Sequence, residues 1–270
     1  MTELPRMRAG DFPAELLEIF DGYVHGRVTK RDFLASATRF TVLGLTGAAL
    51  VEALSPNYAR AEQVKADDPR IVATEASYAS PNGQGTVSGL LVKPAGAGKR
   101  PGVLVVHENR GLNPYIADVA RRVAVAGYVA FAPDGLSPQG GYPGTDDAGR
   151  EMQAKIEPAK LMEDFFAAYG FLKGHETVSG KVGCVGFCYG GGVCNALAVA
   201  MPDLVASVPF YGRQPRAEDV ARIRAPLLLH YAELDQGITG GWPAYEAALK
   251  AAGKTYAAHV YPGVNHGFHN

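Results

Sequence analysis

Cysteine is scarce in this sequence: three residues, Cys184, Cys188 and Cys194, in a chain of 270. An odd number in so close a cluster excludes a disulfide framework. The spacing is not a zinc pattern and no run of histidines accompanies it, so no metal and no other cofactor is expected. An excess of charge is also lacking. The 26 basic residues nearly balance 27 acidic ones, for a formal net charge of −1. Without a basic patch, nucleic acid is not an expected partner. The most apolar stretch, Phe40 to Leu54, is too short for a helix that spans a membrane. There is no internal repeat and no low-complexity tract, which sets solenoids and flexible linkers aside. Glycine (33) and proline (18) are plentiful, as a fold with many tight loops requires. The length suits one large α/β domain with an extension.

Residues 1–66 read differently from the rest. Pro13 to Tyr23 has the spacing of a short amphipathic helix, with Leu16, Leu17, Ile19 and Phe20 on its apolar side. Thr29-Lys30-Arg31-Asp32-Phe33-Leu34 follows, then the apolar stretch, then Ala59-Arg60-Ala61. Two readings stay open. One is a twin-arginine-like export signal, with Lys30-Arg31 for the arginine pair and an A-x-A cleavage site, in a periplasmic protein. The other is a retained helical extension that packs on the main domain or on a partner subunit, in a cytoplasmic protein. Asp21, Glu52 and the long segment before the apolar stretch fit a signal poorly, so the retained extension is the adopted expectation.

Asp67-Asp68-Pro69 reads as a linker, and residues 67–270 as the main domain. Ile71 to Tyr78 and Val87 to Val92 suggest a hairpin. Val103 to Val106, Tyr128 to Ala132 and Val182 to Phe187 are apolar at successive positions, the mark of strands buried on both faces. Leu204 to Tyr211, Pro226 to Tyr231 and Tyr256 to Tyr261 continue the series. Helices are expected over Ile116–Ala126, Ala148–Leu172 with a break near Pro158, and Trp242–Ala252. Alternating strands and helices predict an α/β fold, a mostly parallel sheet with helices on both faces.

The chemistry centres on Gly186-Phe187-Cys188-Tyr189-Gly190-Gly191, between an apolar strand and a run of small residues. Strand, sharp glycine-flanked turn and helix form the setting of a nucleophile elbow, here with Cys in place of Ser. The following helix points its free N–H groups at the thiol, which favours thiolate. Cys184 and Cys194 read as small buried residues. An acid follows at the end of a later strand: Asp235, with Glu233 as its neighbour and rival. His266 lies in a loop past the last strand. Nucleophile, acid, histidine is the α/β-hydrolase order. His107 ends a strand near the site without an assigned role. His230 and His259 read as strand packing, and His25, His175 and His269 belong to no pattern.

Together with His107-Glu108-Asn109-Arg110-Gly111, these residues resemble the dienelactone hydrolase family over roughly residues 70–270. The resemblance implies an α/β-hydrolase fold and a Cys188–His266–Asp235 triad. It implies that Glu108 helps form the thiolate; pairing with Arg110 is the plainer role for that carboxylate. It also implies an oxyanion hole made by the backbone N–H groups of Tyr189 and Asn109. Two departures follow. The arginine pair that holds a substrate carboxylate in dienelactone-specific members is replaced here by Pro138 and Asn270. The family's final helix is missing after Asn270, and the N-terminal helices are expected to cover that face, in cis or from the second subunit of a homodimer. The expected function is hydrolysis of a small-molecule ester or lactone through a thioester. The alternative is a non-catalytic or redox protein that keeps a reactive thiol.

Overall fold

The computed structural model describes residues 11–40, 46–54 and 58–269. Four helices come first: α1 (Ala14–Val24), α2 (Lys30–Ala37), α3 (Gly47–Leu54) and the single turn α4 (Tyr58–Ala61). In α2 the Thr29 side chain accepts from the Asp32 N–H, the cap that starts the helix. The helices share a small core of their own, with Leu16, Tyr23, Phe33 and Leu50 buried together. Lys30-Arg31 therefore opens a capped, packed helix.

The main domain begins with a hairpin, β1 (Ile71–Ser80) and β2 (Gly85–Pro94), followed by β3 (Arg100–Val106), α5 (Pro114–Val125) and β4 (Val129–Pro133). Next come α6 (Asp146–Gln153), α7 (Pro158–Gly174), β5 (Val178–Phe187) and α8 (Tyr189–Ala200). The chain continues with β6 (Ser207–Phe210), β7 (Leu227–Ala232), the turn α9 (Gln236–Thr239), α10 (Trp242–Ala251) and β8 (Tyr256–Tyr261). The sheet has the order β1-β2-β4-β3-β5-β6-β7-β8. Only β1–β2 and β2–β4 pair antiparallel; the other pairs are parallel. All of β4 is buried, as its unbroken apolar run predicts.

The break expected near Pro158 divides the helical stretch into α6 and α7, because Pro158 has no N–H and is accommodated in the first turn of α7. The strand expected over Leu204–Tyr211 is only Ser207–Phe210. Tyr211 leaves the sheet at φ 38°, a left-handed conformation that strand pairing cannot continue.

On one face of the sheet, Leu104 and Val106 pack against Phe165 and Leu172 of α7 and Val193 and Leu197 of α8. On the other, Val105, Ala130 and Phe187 meet Ile116 and Val119 of α5. Beyond α5 this second face carries an open apolar groove between Val103, Tyr128, Val185 and Phe210. The N-terminal helices do not fill that groove. They lie instead at the loop after β8, where Leu17, Phe20 and Leu54 share a cavity with Val264 and Phe268.

Candidate active site

Cys188 sits at the tip between β5 and α8, with φ 53° and ψ −113°. A non-glycine residue held there is strained, and the flanking glycines make the turn feasible. A Cβ on Gly190 would come within 2.3 Å of the Val106 carbonyl oxygen, and one on Gly186 within 2.1 Å of the Gly190 oxygen. The strand–turn–helix junction thus packs backbone on backbone, and the Cys188 sulfur lies within 4.8 Å of ring nitrogens of His25 and His266. Tyr189 is the first residue of α8, so its N–H belongs to the helix start, where no intrahelical acceptor exists.

Asp235 follows β7 and His266 follows β8, and parallel pairing of these strands brings both loops to one end of the sheet. The His266 Nδ1 donates to Asp235 Oδ2 at 2.6 Å, with both side chains almost fully buried. Glu233 is occupied elsewhere: its Oε2 accepts from the Gly263 N–H at 2.8 Å and it is exposed. Of the two rivals, Asp235 is the one against the imidazole.

A second pair approaches the same sulfur from the N-terminal helices. The His25 Nδ1 lies 3.0 Å from Asp21 Oδ1 and 2.8 Å from the Asp21 carbonyl oxygen. Its Nε2 lies 3.8 Å from the Cys188 sulfur and 3.1 Å from the His266 Nε2. Sequence reasoning missed His25, which has no motif around it. Burial alone would raise the Cys188 thiol, but His266 and His25 outweigh it and lower the pKa to about 6. Burial would lower both imidazoles; the Cys188 thiolate and the two aspartates drive them upward instead. Cysteine is thus favoured as thiolate beside protonated imidazole.

Glu108 is fully buried and its carboxylate lies 3.2 Å from the Arg110 guanidinium. Arg110 also donates to Asp146 at 2.8 Å. Its charge is therefore committed to two carboxylates. Asn109 donates from its side chain to the Val24 carbonyl at the end of α1. His107 braces the loop: its Nδ1 donates to the Glu108 carbonyl at 2.6 Å, and its Nε2 accepts from the Gly135 N–H at 3.1 Å. His230 lies buried within β7 and stacks on His259 of β8, which is exposed. Pro138 lies in a short turn after β4. Asn270, the other clamp position, lies outside the described residues.

A cavity of about 370 Å³ opens beside His266, walled by Phe12, Leu17, Phe20 and Phe268 and reached by Arg110. Tyr211, whose ring lies 4.8 Å from that of His266, is buried with no hydrogen-bond partner for its hydroxyl.

The model of the dienelactone hydrolase family matches residues 87–270. The chain belongs to the dienelactone hydrolase family. It is a hydrolase with the α/β-hydrolase fold. A second family model, described as YqhI-like, matches residues 4–41, the segment that carries His25. The "Putative hydrolase fragment YghX" of Escherichia coli K12 is 64% identical over 115 residues, 42% of this chain and 98% of that protein. A "Putative carboxymethylenebutenolidase" of Methylorubrum extorquens is 34% identical over 204 residues, 70% of each chain. Among solved structures, a "Putative Dienelactone Hydrolase" of Klebsiella pneumoniae superposes with a TM-score of 0.63 at 29% identity, over 73% of this chain and 88% of that one.

Proposed function

We propose that this hydrolase cleaves small esters or lactones with an apolar acyl group, through Cys188 and a thioester acyl-enzyme. The observation that carries the reading is the meeting of a strained cysteine at a helix start with a buried Asp235–His266 pair. The Cys188 thiolate attacks the ester carbonyl carbon, forming a C–S bond. The carbonyl electron pair moves to oxygen, where the N–H groups of Tyr189 and Asn109 stabilise it. The intermediate collapses, the C–O bond breaks, and the imidazolium of His266 protonates the leaving alkoxide. His266 then takes a proton from water as the hydroxide adds to the thioester. The second collapse releases the acid and restores the thiolate.

Asp235 fixes the tautomer of His266 and stabilises its charge. Glu108, paired with Arg110, is assigned to the rearrangement around the thiolate as substrate enters. The apolar walls of the cavity, and an Arg110 already held by Glu108 and Asp146, favour an uncharged acyl group over a carboxylate-bearing lactone. Residues 1–66 act in this reading as an extension that closes the site, with the hydrolase domain at 67–270.

The test compares the parent protein with Cys188→Ala on a small aryl ester. Activity falls by more than about 10³-fold on this reading. Retention of full activity in the variant contradicts it.

A further inference from the structure

The contact between His25 and His266 has a chemical requirement. The His266 Nδ1 bonds the Asp235 carboxylate at 2.6 Å, and the His25 Nδ1 bonds the Asp21 backbone carbonyl at 2.8 Å with the Asp21 carboxylate 3.0 Å away. In its neutral form each imidazole therefore carries its hydrogen on Nδ1 and presents a lone pair on Nε2. The two Nε2 atoms face one another at 3.1 Å, with the Cys188 sulfur 3.8 Å from the first. Two lone pairs and a thiolate so close repel unless a cation lies among them. In the hydrolytic cycle that cation is a proton.

We propose that Cys188, His25 and His266 also form a binding site for a soft divalent metal ion, of which Zn²⁺ is the type, and that the metal silences the hydrolase. The distances fit. A tetrahedral Zn²⁺ with Zn–S of about 2.3 Å and Zn–N of about 2.0–2.1 Å separates its nitrogen ligands by about 3.3 Å, and sulfur from nitrogen by about 3.6 Å. All three ligand atoms lie within 4.8 Å of one another. One thiolate and two imidazoles select zinc over magnesium or calcium, which take oxygen ligands. Both imidazoles have on the far nitrogen a partner of the kind that orients zinc-binding histidines, a carboxylate for His266 and a backbone carbonyl, with the Asp21 carboxylate beside it, for His25. Three protein ligands leave a fourth position for water.

The exchange balances without electron transfer. The metal takes the thiolate and the two Nε2 lone pairs, and the proton that the imidazoles shared passes to solvent. With its sulfur and histidine bound, the site has neither nucleophile nor base. Metal binding itself follows from the ligand geometry alone; only its effect on turnover rests on the hydrolase reading. Because His25 comes from the N-terminal helices, bound metal also ties that segment to the hydrolase domain.

The experiment is a Co²⁺ titration of the full chain after chelator treatment, under reducing conditions. One equivalent produces visible bands of a tetrahedral site and a near-ultraviolet thiolate-to-cobalt band, and Zn²⁺ bleaches both. The thiolate band is lost in Cys188→Ser. Zn²⁺ affinity, read by competition with a chromophoric chelator, falls roughly tenfold or more in Asp21→Asn and further in His25→Ala. His25→Gln, which keeps the side-chain bulk, weakens binding in the same direction should His25→Ala fail to fold. His175→Ala, away from the site, leaves affinity unchanged. Absence of the thiolate band in the parent, its persistence in Cys188→Ser, or unchanged affinity in the folded His25 variants overturns the proposal. Ester hydrolysis measured in chelator reports on the hydrolase reading separately, so failure of either can be told from failure of the other.

Discussion

Two aspartate–histidine pairs converge on one sulfur in this protein, and they differ in origin. Asp235 and His266 come from the ends of neighbouring parallel strands, so the sheet fixes them. Asp21 and His25 are one helical turn apart at the end of α1, so the helix fixes their pairing and tertiary packing brings them to Cys188. Cys188, Asp235 and His266 were legible from residue order because an elbow motif and strand ends anchor them. His25 was not: it lies 163 positions from Cys188, and no local pattern encodes a contact over that distance. For the same reason the linear spacing of cysteines showed no metal motif, since the three ligands come from three segments.

The histidines away from the site carry a stability prediction. His230 is buried in β7, stacked on Phe210 and His259, with its Nδ1 2.9 Å from the Tyr261 hydroxyl. Burial first, and then the neighbouring His259, lower its pKa from the ordinary 6.5 to about 4. Between those values the unfolded chain binds the proton more readily than the folded one. The stability from His230 is thus complete above pH 6.5 and is lost as pH falls toward 4. Thermal melts are expected to show a smaller loss of Tm from pH 7 to pH 4 in His230→Phe than in the parent. An equal loss in both contradicts this assignment.

At the scale of elements, the N-terminal helices are held by polar contacts to α6 and the loop after β3. Asp147 accepts from the Tyr23 hydroxyl at 2.5 Å, from Lys30 at 2.9 Å and from Arg150 at 3.2 Å. Asp146 accepts from Tyr58 and from Arg110, tying α4 to the loop after β3. Asp147→Ala removes the acceptor for α1 and α2 together. The hydrogen bond from Tyr23 to this charged group contributes about 1.5–3 kcal/mol and the exposed Lys30 pair under about 1 kcal/mol, so limited proteolysis within residues 25–40 is expected to quicken by about tenfold or more. An unchanged cleavage rate would show that apolar packing alone holds these helices. The strands and helices of the hydrolase domain were largely legible, because a parallel sheet writes its buried strands as unbroken apolar runs. The end of β6 was not, because Tyr211 turns away through a backbone conformation that its side chain does not announce. Helix α1 was legible as a helix, whereas α2 was only part of an extension expected to be helical, and the place of both over the site was not legible, since amphipathic spacing names an apolar face and not the surface it meets.

For the whole molecule, the hydrolase sheet supplies Cys188, Asp235 and His266, to which the proposed function gives the roles of nucleophile, acid and base, and the N-terminal helices close the space beside His266. The walls of the resulting cavity come from both parts: Phe12, Leu17 and Phe20 on one side, Val264 to Phe268 on the other. On the proposed function, substrate choice is shared between a fold common to the family and an added segment with its own family match. The central claim is that acyl transfer passes through the sulfur of Cys188. Its most direct test is mass spectrometry of protein acid-quenched during turnover of a small aryl ester in the presence of chelator. The expected result is one added acyl group on the peptide containing Cys188, accumulating in Asp235→Asn as hydrolysis of the thioester slows. Turnover without any acyl adduct on that peptide, together with continued hydrolysis by Cys188→Ala, would contradict it.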